Sequence, residues 1–193
     1  MLEFDPARER ILDAADDLFY ARGVQAVGMA AIRDASGVTL RRLYQLFPSK
    51  GDLVEAYLAR RDTRWLASLA THVEESAGTP HERLLAVFGW LEDWFTRPGF
   101  HGCAFINVFG ELSGTSPRVA AAARRHKDAF HAYLRDLASA AGAAAEVGTQ
   151  IALLAEGAMT TAAISGTAAP ARQAKQVAQL LLAPETPHAP SSS

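Results

Sequence analysis

One stretch, Met29 to Leu53, constrains this chain more than any other. It reads as two short helices joined by a glycine turn and followed by the start of a third. Ala30, Ala31, Ile32, Arg33, Asp34 and Ala35 favour helix, and Ile32 and Ala35 share one face at i, i+3. Ser36-Gly37-Val38 breaks the run, because Gly37 tolerates the positive φ that ends a helix. Thr39 follows as an N-cap candidate for the next helix. There, Leu40, Leu43 and Phe47 recur at i, i+3, i+7 and are expected to pack inward. Arg41, Arg42 and Gln45 fall on the other side. Pro48 stops the helix, and Ser49 can cap the next one, whose first turn carries Asp52.

A helix, a glycine-centred turn and a second helix with two outward arginines is the build of a helix-turn-helix, whose second helix enters the major groove of DNA. An arginine fork can bond two acceptors of one guanine. The same spacing also fits an αα-hairpin with a solvated basic face, so spacing leaves both readings open. Charge adds to the first. Met29 to Lys50 carries Arg33, Arg41, Arg42 and Lys50 against Asp34, a net +3, whereas residues 1–28 sum to −3 and the whole chain to −2. The positive field is concentrated on the proposed reading head, as attraction to phosphates requires.

The rest of the 193 residues reads as helix, with no strand candidate of useful length and no internal repeat. Asp5 and Pro6 open a first helix with Ile11, Leu12, Ala15, Leu18 and Phe19 at helical spacing, and Gly23 ends it. From Lys50 a longer helix runs to about His72, with Leu53, Tyr57, Leu58, Trp65 and Leu69 as its inner face. It joins the head to the C-terminal helices. Its cluster Arg60, Arg61 and Arg64 reads as a solvated face. Thr79-Pro80-His81-Glu82 is a capping box that opens a helix ended by Arg97-Pro98-Gly99. Phe100 to Leu112 reads as a short apolar helix, and Ser116-Pro117 opens another that runs to about Ala141. Residues 144–165 are rich in alanine, with Gly157 mid-helix, a destabilising choice unless something packs closely there. Pro170 opens a last helix carrying Val177, Leu180, Leu181 and Leu182. These last two helices suit packing against the same pair of a second chain. Residues 183–193, with three prolines and three serines, are expected to be disordered.

Hydrophobic residues at 49% and charged residues at 21% suit a soluble globular chain with a core. The single cysteine, Cys103, excludes an internal disulfide framework and suits a reducing cytoplasm. No signal peptide is visible, and no stretch approaches the length of a membrane span. Aromatic residues crowd the middle of the chain. Most are core candidates, but Trp65, Phe88, Trp94, Phe105 and Phe130, with Asn107, are the candidate lining of a small-molecule cavity. His72, His126 and Glu111 are further polar groups expected near it. His101 and Cys103 are too few for a metal site, and without a visible cationic neighbour Cys103 reads as an inert thiol. No phosphate loop, nucleophile elbow or acid–base pair is apparent, so no enzyme, cofactor or metal is expected.

Residues Arg10 to Leu53 resemble the DNA-binding domain of TetR-type transcriptional repressors. The resemblance is carried by Ile11-Leu12, Ala14-Ala15, Leu18-Phe19, Gly23, Gly28, Ile32, Ala35, Gly37-Val38-Thr39, Leu43-Tyr44, Phe47, Ser49-Lys50 and Leu53. The run Gly102 to Asn107 with Glu111-Leu112 is similar to a segment of one branch of TetR-type C-terminal domains. The resemblance implies an all-α homodimer, with a three-helix helix-turn-helix DNA-binding domain at 5–53 and a helical regulatory and dimerisation domain at 54–182. It implies a cytoplasmic repressor that leaves a palindromic operator when a small apolar effector binds. By the same resemblance Thr39, Leu40, Arg41 and Arg42 meet base edges and nearby phosphates, and Tyr44 and Lys50 meet the backbone. The family usually has a small residue where Arg33 stands, often a small one at Arg41, and a histidine at Leu46. A long cation at position 33 must point outward or shift the helix pair. The alternative reading is a helical small-molecule-binding protein that has lost specific DNA binding.

Overall fold

The structure is a computed structural model that describes residues 5–76 and 78–183. Among them the chain forms helices α1 (Pro6–Arg22), α2 (Met29–Ser36), α3 (Leu40–Leu46), α4 (Lys50–Glu75), α5 (Pro80–Phe95), α6 (Ala104–Leu112), α7 (Pro117–Ala140), α8 (Ala145–Ser165) and α9 (Ala169–Leu181). No strand occurs among the described residues, so the all-α expectation holds. The expected disordered tail lies outside the described residues from position 184 onward.

Helix starts follow their caps. Asp5 accepts hydrogen bonds from the amides of Ala7 and Arg8, Ser49 and Asp52 form a reciprocal box, and so do Thr79 and Glu82. Each cap satisfies amides that an α-helix leaves free at its start. One expected start moves. The apolar run from Phe100 becomes helical only at Ala104, because Gly99 and Gly102 adopt φ of +76° and +81°. Those values turn the chain and favour glycine.

α1 lies across α2, α3 and α4, and buries Ile11, Leu12, Ala15 and Phe19 against Ile32, Leu43, Leu53 and Tyr57. The Phe19 and Tyr57 rings meet edge-on at 5.6 Å. α4, 26 residues long, then continues into the second bundle, where it packs on α5 and α7. α8 packs on α7, α9 and α5. One apolar core runs through both parts of the chain.

α8 corrects one expectation. By length and composition it is apolar enough to cross a membrane, with a mean hydropathy of 1.2. Its apolar character comes from alanine and scattered aliphatics, and Ile151, Ala155 and Met159 are used in the core. The opposite face leaves Leu153 and Ile164 exposed, Ile164 at 83%. Among the described residues, nothing beyond the backbone of α8 itself comes within 4 Å of where a Gly157 Cβ would stand.

Candidate nucleic-acid interface

The turn before α3 is built locally. Gly37 takes φ of +64° and donates its amide to the Arg33 carbonyl at 3.0 Å. Ser36, whose side chain had no role assigned from sequence, is buried; its hydroxyl donates to the Arg33 carbonyl at 3.2 Å. It also accepts from the Val38 amide at 3.4 Å, so one side chain braces both sides of the turn. Ser36 thus takes the inner place beside Ile32, and Ala35 is exposed. Thr39 caps α3 by accepting from the Arg42 amide at 3.3 Å.

Leu43 and Phe47 anchor α3 in the head core. Leu40 does not join them and is 41% exposed. It shares their face by angle, but it sits in the first turn of a seven-residue helix, and neighbouring helices cover only the part beyond it. Leu40, Arg41, Arg42 and Tyr44 therefore form an exposed surface with Thr39. Arg33 points outward onto the Asp34 carboxylate at 2.5 Å, which leaves the helix pair undisturbed.

Arg42 is exposed but engaged. Its Nη2 lies 2.7 Å from the Asp5 carboxylate, so the N-cap of α1 also holds α3. Slight desolvation raises the Asp5 carboxyl, but the Ala7 and Arg8 amides and the Arg42 guanidinium outweigh it and hold it below the usual carboxylate range. Lys50, at the start of α4, is partly covered. Desolvation draws its ammonium below the usual lysine range, and Glu111 opposes that shift.

The head is tied to the second bundle at three places. Glu111 of α6 accepts from the amides of Val24 and Gln25 at 3.1 and 2.7 Å, and Gln25 Nε2 donates to the Glu111 carbonyl at 2.7 Å. Glu111 therefore clasps the α1–α2 turn rather than facing a cavity. The Tyr20 hydroxyl donates to the Gly102 carbonyl at 2.8 Å and accepts from the His101 amide at 3.0 Å. Arg60 meets Asp13 at 2.8 Å and Glu9 at 3.3 Å, and Arg61 meets Asp16 at 2.5 Å. The Arg61 guanidinium also lies 3.8 Å from the Tyr20 ring centre. Arg60 and Arg61 are thus not a solvated face. They are largely buried, and the acidic residues of α1 are their partners.

The six cavity candidates divide. Trp65 and Trp94 line an opening beside α1, in an edge-on group with Trp90. Phe130 is fully buried behind Trp65 at 5.1 Å, and Phe88 is a core residue of α5. Phe105 lines a separate opening of about 280 Å³ and stacks on His126 at 3.8 Å. Asn107 is exposed, and its Nδ2 donates to the His101 carbonyl at 2.9 Å. His126 is buried, with Nδ1 2.6 Å from Asp62.

Cys103 has the cationic neighbour that the sequence did not reveal. Lys127 Nζ lies 3.3 Å from its sulfur. Burial pushes the thiol up, but the His126 hydrogen bond and the Lys127 ammonium outweigh it, and the thiol lies below its usual range. His101, its neighbour in sequence, is exposed.

Fold and head together define an all-α helix-turn-helix protein with a second helical bundle. Residues 11–57 match the family of bacterial regulatory proteins of the tetR type, and residues 80–178 match the tetracyclin repressor-like C-terminal domain. The chain is 33% identical over 129 residues to the uncharacterized HTH-type transcriptional regulator Rv1255c of Mycobacterium tuberculosis, covering 61% of this chain and 59% of that protein. It thus spans about three fifths of that relative's length. Two solved structures are similar over nearly the whole chain. SCO4454, a TetR-family transcriptional regulator from Streptomyces coelicolor, is 29% identical with a TM-score of 0.83, over 92% of this chain and 94% of that one. The regulator sav143 from Streptomyces avermitilis is 30% identical with a TM-score of 0.74, over 91% and 99%. This chain belongs to the TetR family of bacterial regulatory proteins.

Proposed function

We propose that the protein is a ligand-responsive, DNA-binding transcriptional repressor, working in the cytoplasm as a homodimer on a palindromic operator. Residues 5–53 are the reading head and 54–182 the regulatory and dimerisation part. The observation that carries this is the surface of α3, where Thr39, Leu40, Arg41, Arg42 and Tyr44 are exposed above a buried Leu43 anchor. In a dimer two such helices enter successive major grooves about one helical turn apart. A small, largely apolar effector binds beside the tryptophans and favours a state whose heads miss that spacing. It does so only through its different affinity for the two states.

The test is fluorescence anisotropy with labelled DNA from upstream of the protein's own gene, across a range of salt. Arg41→Ala and Arg42→Ala should each cost about 1–3 kcal/mol of discrimination between operator and scrambled DNA. Lys50→Ala should weaken both DNAs alike and reduce the salt slope by about one. Absence of operator preference in the wild-type chain would favour the alternative, a helical small-molecule binder without specific DNA recognition.

A further inference from the structure

Where α1, α4 and α5 meet, the structure has an opening of about 180 Å³ whose lining neither the head nor the core explains. Arg60, Arg61 and Arg64 of α4 line it, with Arg97 just beyond α5. Asp16 is the one carboxylate in the lining, and with Glu9 and Asp13, which reach Arg60 from α1, the four arginines keep a net charge of +1. The opposite wall is indole: Trp65 meets Trp90 at 4.9 Å and Trp94 at 5.6 Å, both edge-on. Trp90 is held in place by donating from Nε1 to Ser68 Oγ at 3.2 Å.

One atom here lacks a partner. The Arg60 side chain is 12% exposed and spends Nη1 on Asp13 and Glu9, while its Nη2 is buried with no hydrogen-bond partner among the described residues. A buried donor in that state is costly, and an acceptor brought to it is correspondingly favourable. A guanidinium fork selects planar pairs of oxygens, and tryptophan walls select planar rings.

We propose that this opening binds a small one-ring aromatic carboxylate, and that the bound anion competes with Glu9, Asp13 and Asp16 for Arg60 and Arg61. Those three carboxylates are the ion pairs that add to the apolar packing of α1 on α4. A ligand that takes over the guanidinium groups loosens α1, and with it the head, because Arg42 of α3 is in turn held by Asp5 at the start of α1. This gives the effector of the proposed function a chemical class and a route to the head. The route rests on that function, but binding at the site does not.

The chain has three tryptophans, and all three line this opening, so tryptophan fluorescence reports on it. The experiment titrates the full chain with 4-nitrobenzoate and with 4-nitrobenzamide, which keeps the ring and removes the charge. Ionic strength is held constant, and quenching is corrected for absorbance. The expected result is saturable quenching by the acid, with the amide weaker by about tenfold or more, the loss of a charged hydrogen bond. Arg64→Gln and Arg97→Gln, both exposed, should each weaken the acid severalfold while leaving the thermal midpoint unchanged. Equal quenching by acid and amide overturns the proposal, as does competition by sulfate at the same concentration, which would mark a simple anion site.

DNA release is read separately by anisotropy. Saturable, acid-specific quenching without loss of DNA affinity overturns the competition step. Acid-specific quenching in a chain that never binds DNA upholds the site and refutes the proposed function instead.

Discussion

Tyr57 shows how a single residue can carry a cost that packing hides. Its ring closes the head core against Phe19, yet its hydroxyl is buried with no hydrogen-bond partner among the described residues. Burial, the largest influence, drives the phenol far above its usual range, so the group stays neutral throughout the working pH. Tyr57→Phe keeps the ring and removes the unsatisfied oxygen. It should stabilise the fold by about 1 kcal/mol and raise the thermal midpoint by roughly 2–4 °C. A lowered midpoint in a melting curve would mean that the hydroxyl has a partner. At the same scale Thr39 and Gly37 were fully legible, since cap and turn act within four residues. Leu40 was not, because angle on a helix says nothing about how far the neighbouring helices extend.

Among the elements, α6 decides how the two parts of the chain communicate. It is nine residues long and touches the head from both ends: Gly102 and His101 meet Tyr20 just before it starts, and Glu111 clasps Val24 and Gln25 near its finish. Gly23, at φ of +81°, brings the turn so close that a Cβ would stand 3.0 Å from the Glu111 carboxylate. Glu111→Ala should speed hydrogen exchange at the Val24 and Gln25 amides by about tenfold, the loss of a charge-assisted bond. Amides in the middle of α8 should not change. The same substitution removes the anion that supports the Lys50 ammonium, so Lys50 should titrate at lower pH than in the wild type. Unchanged exchange at both amides would mean that the clasp is absent in solution.

For the whole molecule, the unpartnered surface is the outer face of α8 and α9. Leu180 is 75% exposed there, and Leu153, Gly157 and Val177 line a groove of about 600 Å³. Exposed apolar surface of this extent is typical of association sites, and it is the face that the proposed twofold pairing would bury. Leu153→Glu combined with Leu180→Glu should yield monomers in sedimentation velocity and abolish tight operator binding. Gly157→Leu should do the same without lowering protomer stability, since, apart from the backbone of α8 itself, none of the described residues comes within 4 Å of its Cβ position. A dimer that survives both changes would exclude this face as the interface.

What the sequence determined by itself was local: the helix starts at Asp5, Thr39, Ser49 and Thr79, the turn at Gly37, and the outward arginines of α3. Each is set by interactions within one turn of chain, where residue type and spacing are sufficient. Tertiary structure alone decided the partners of Arg60 and Arg61, the clasp of Glu111 and the cation beside Cys103. Those contacts join residues 24 to 87 positions apart. Spacing along a chain cannot reveal which charge another helix brings to meet a side chain, and that pairing is what separates a solvated arginine from a buried one.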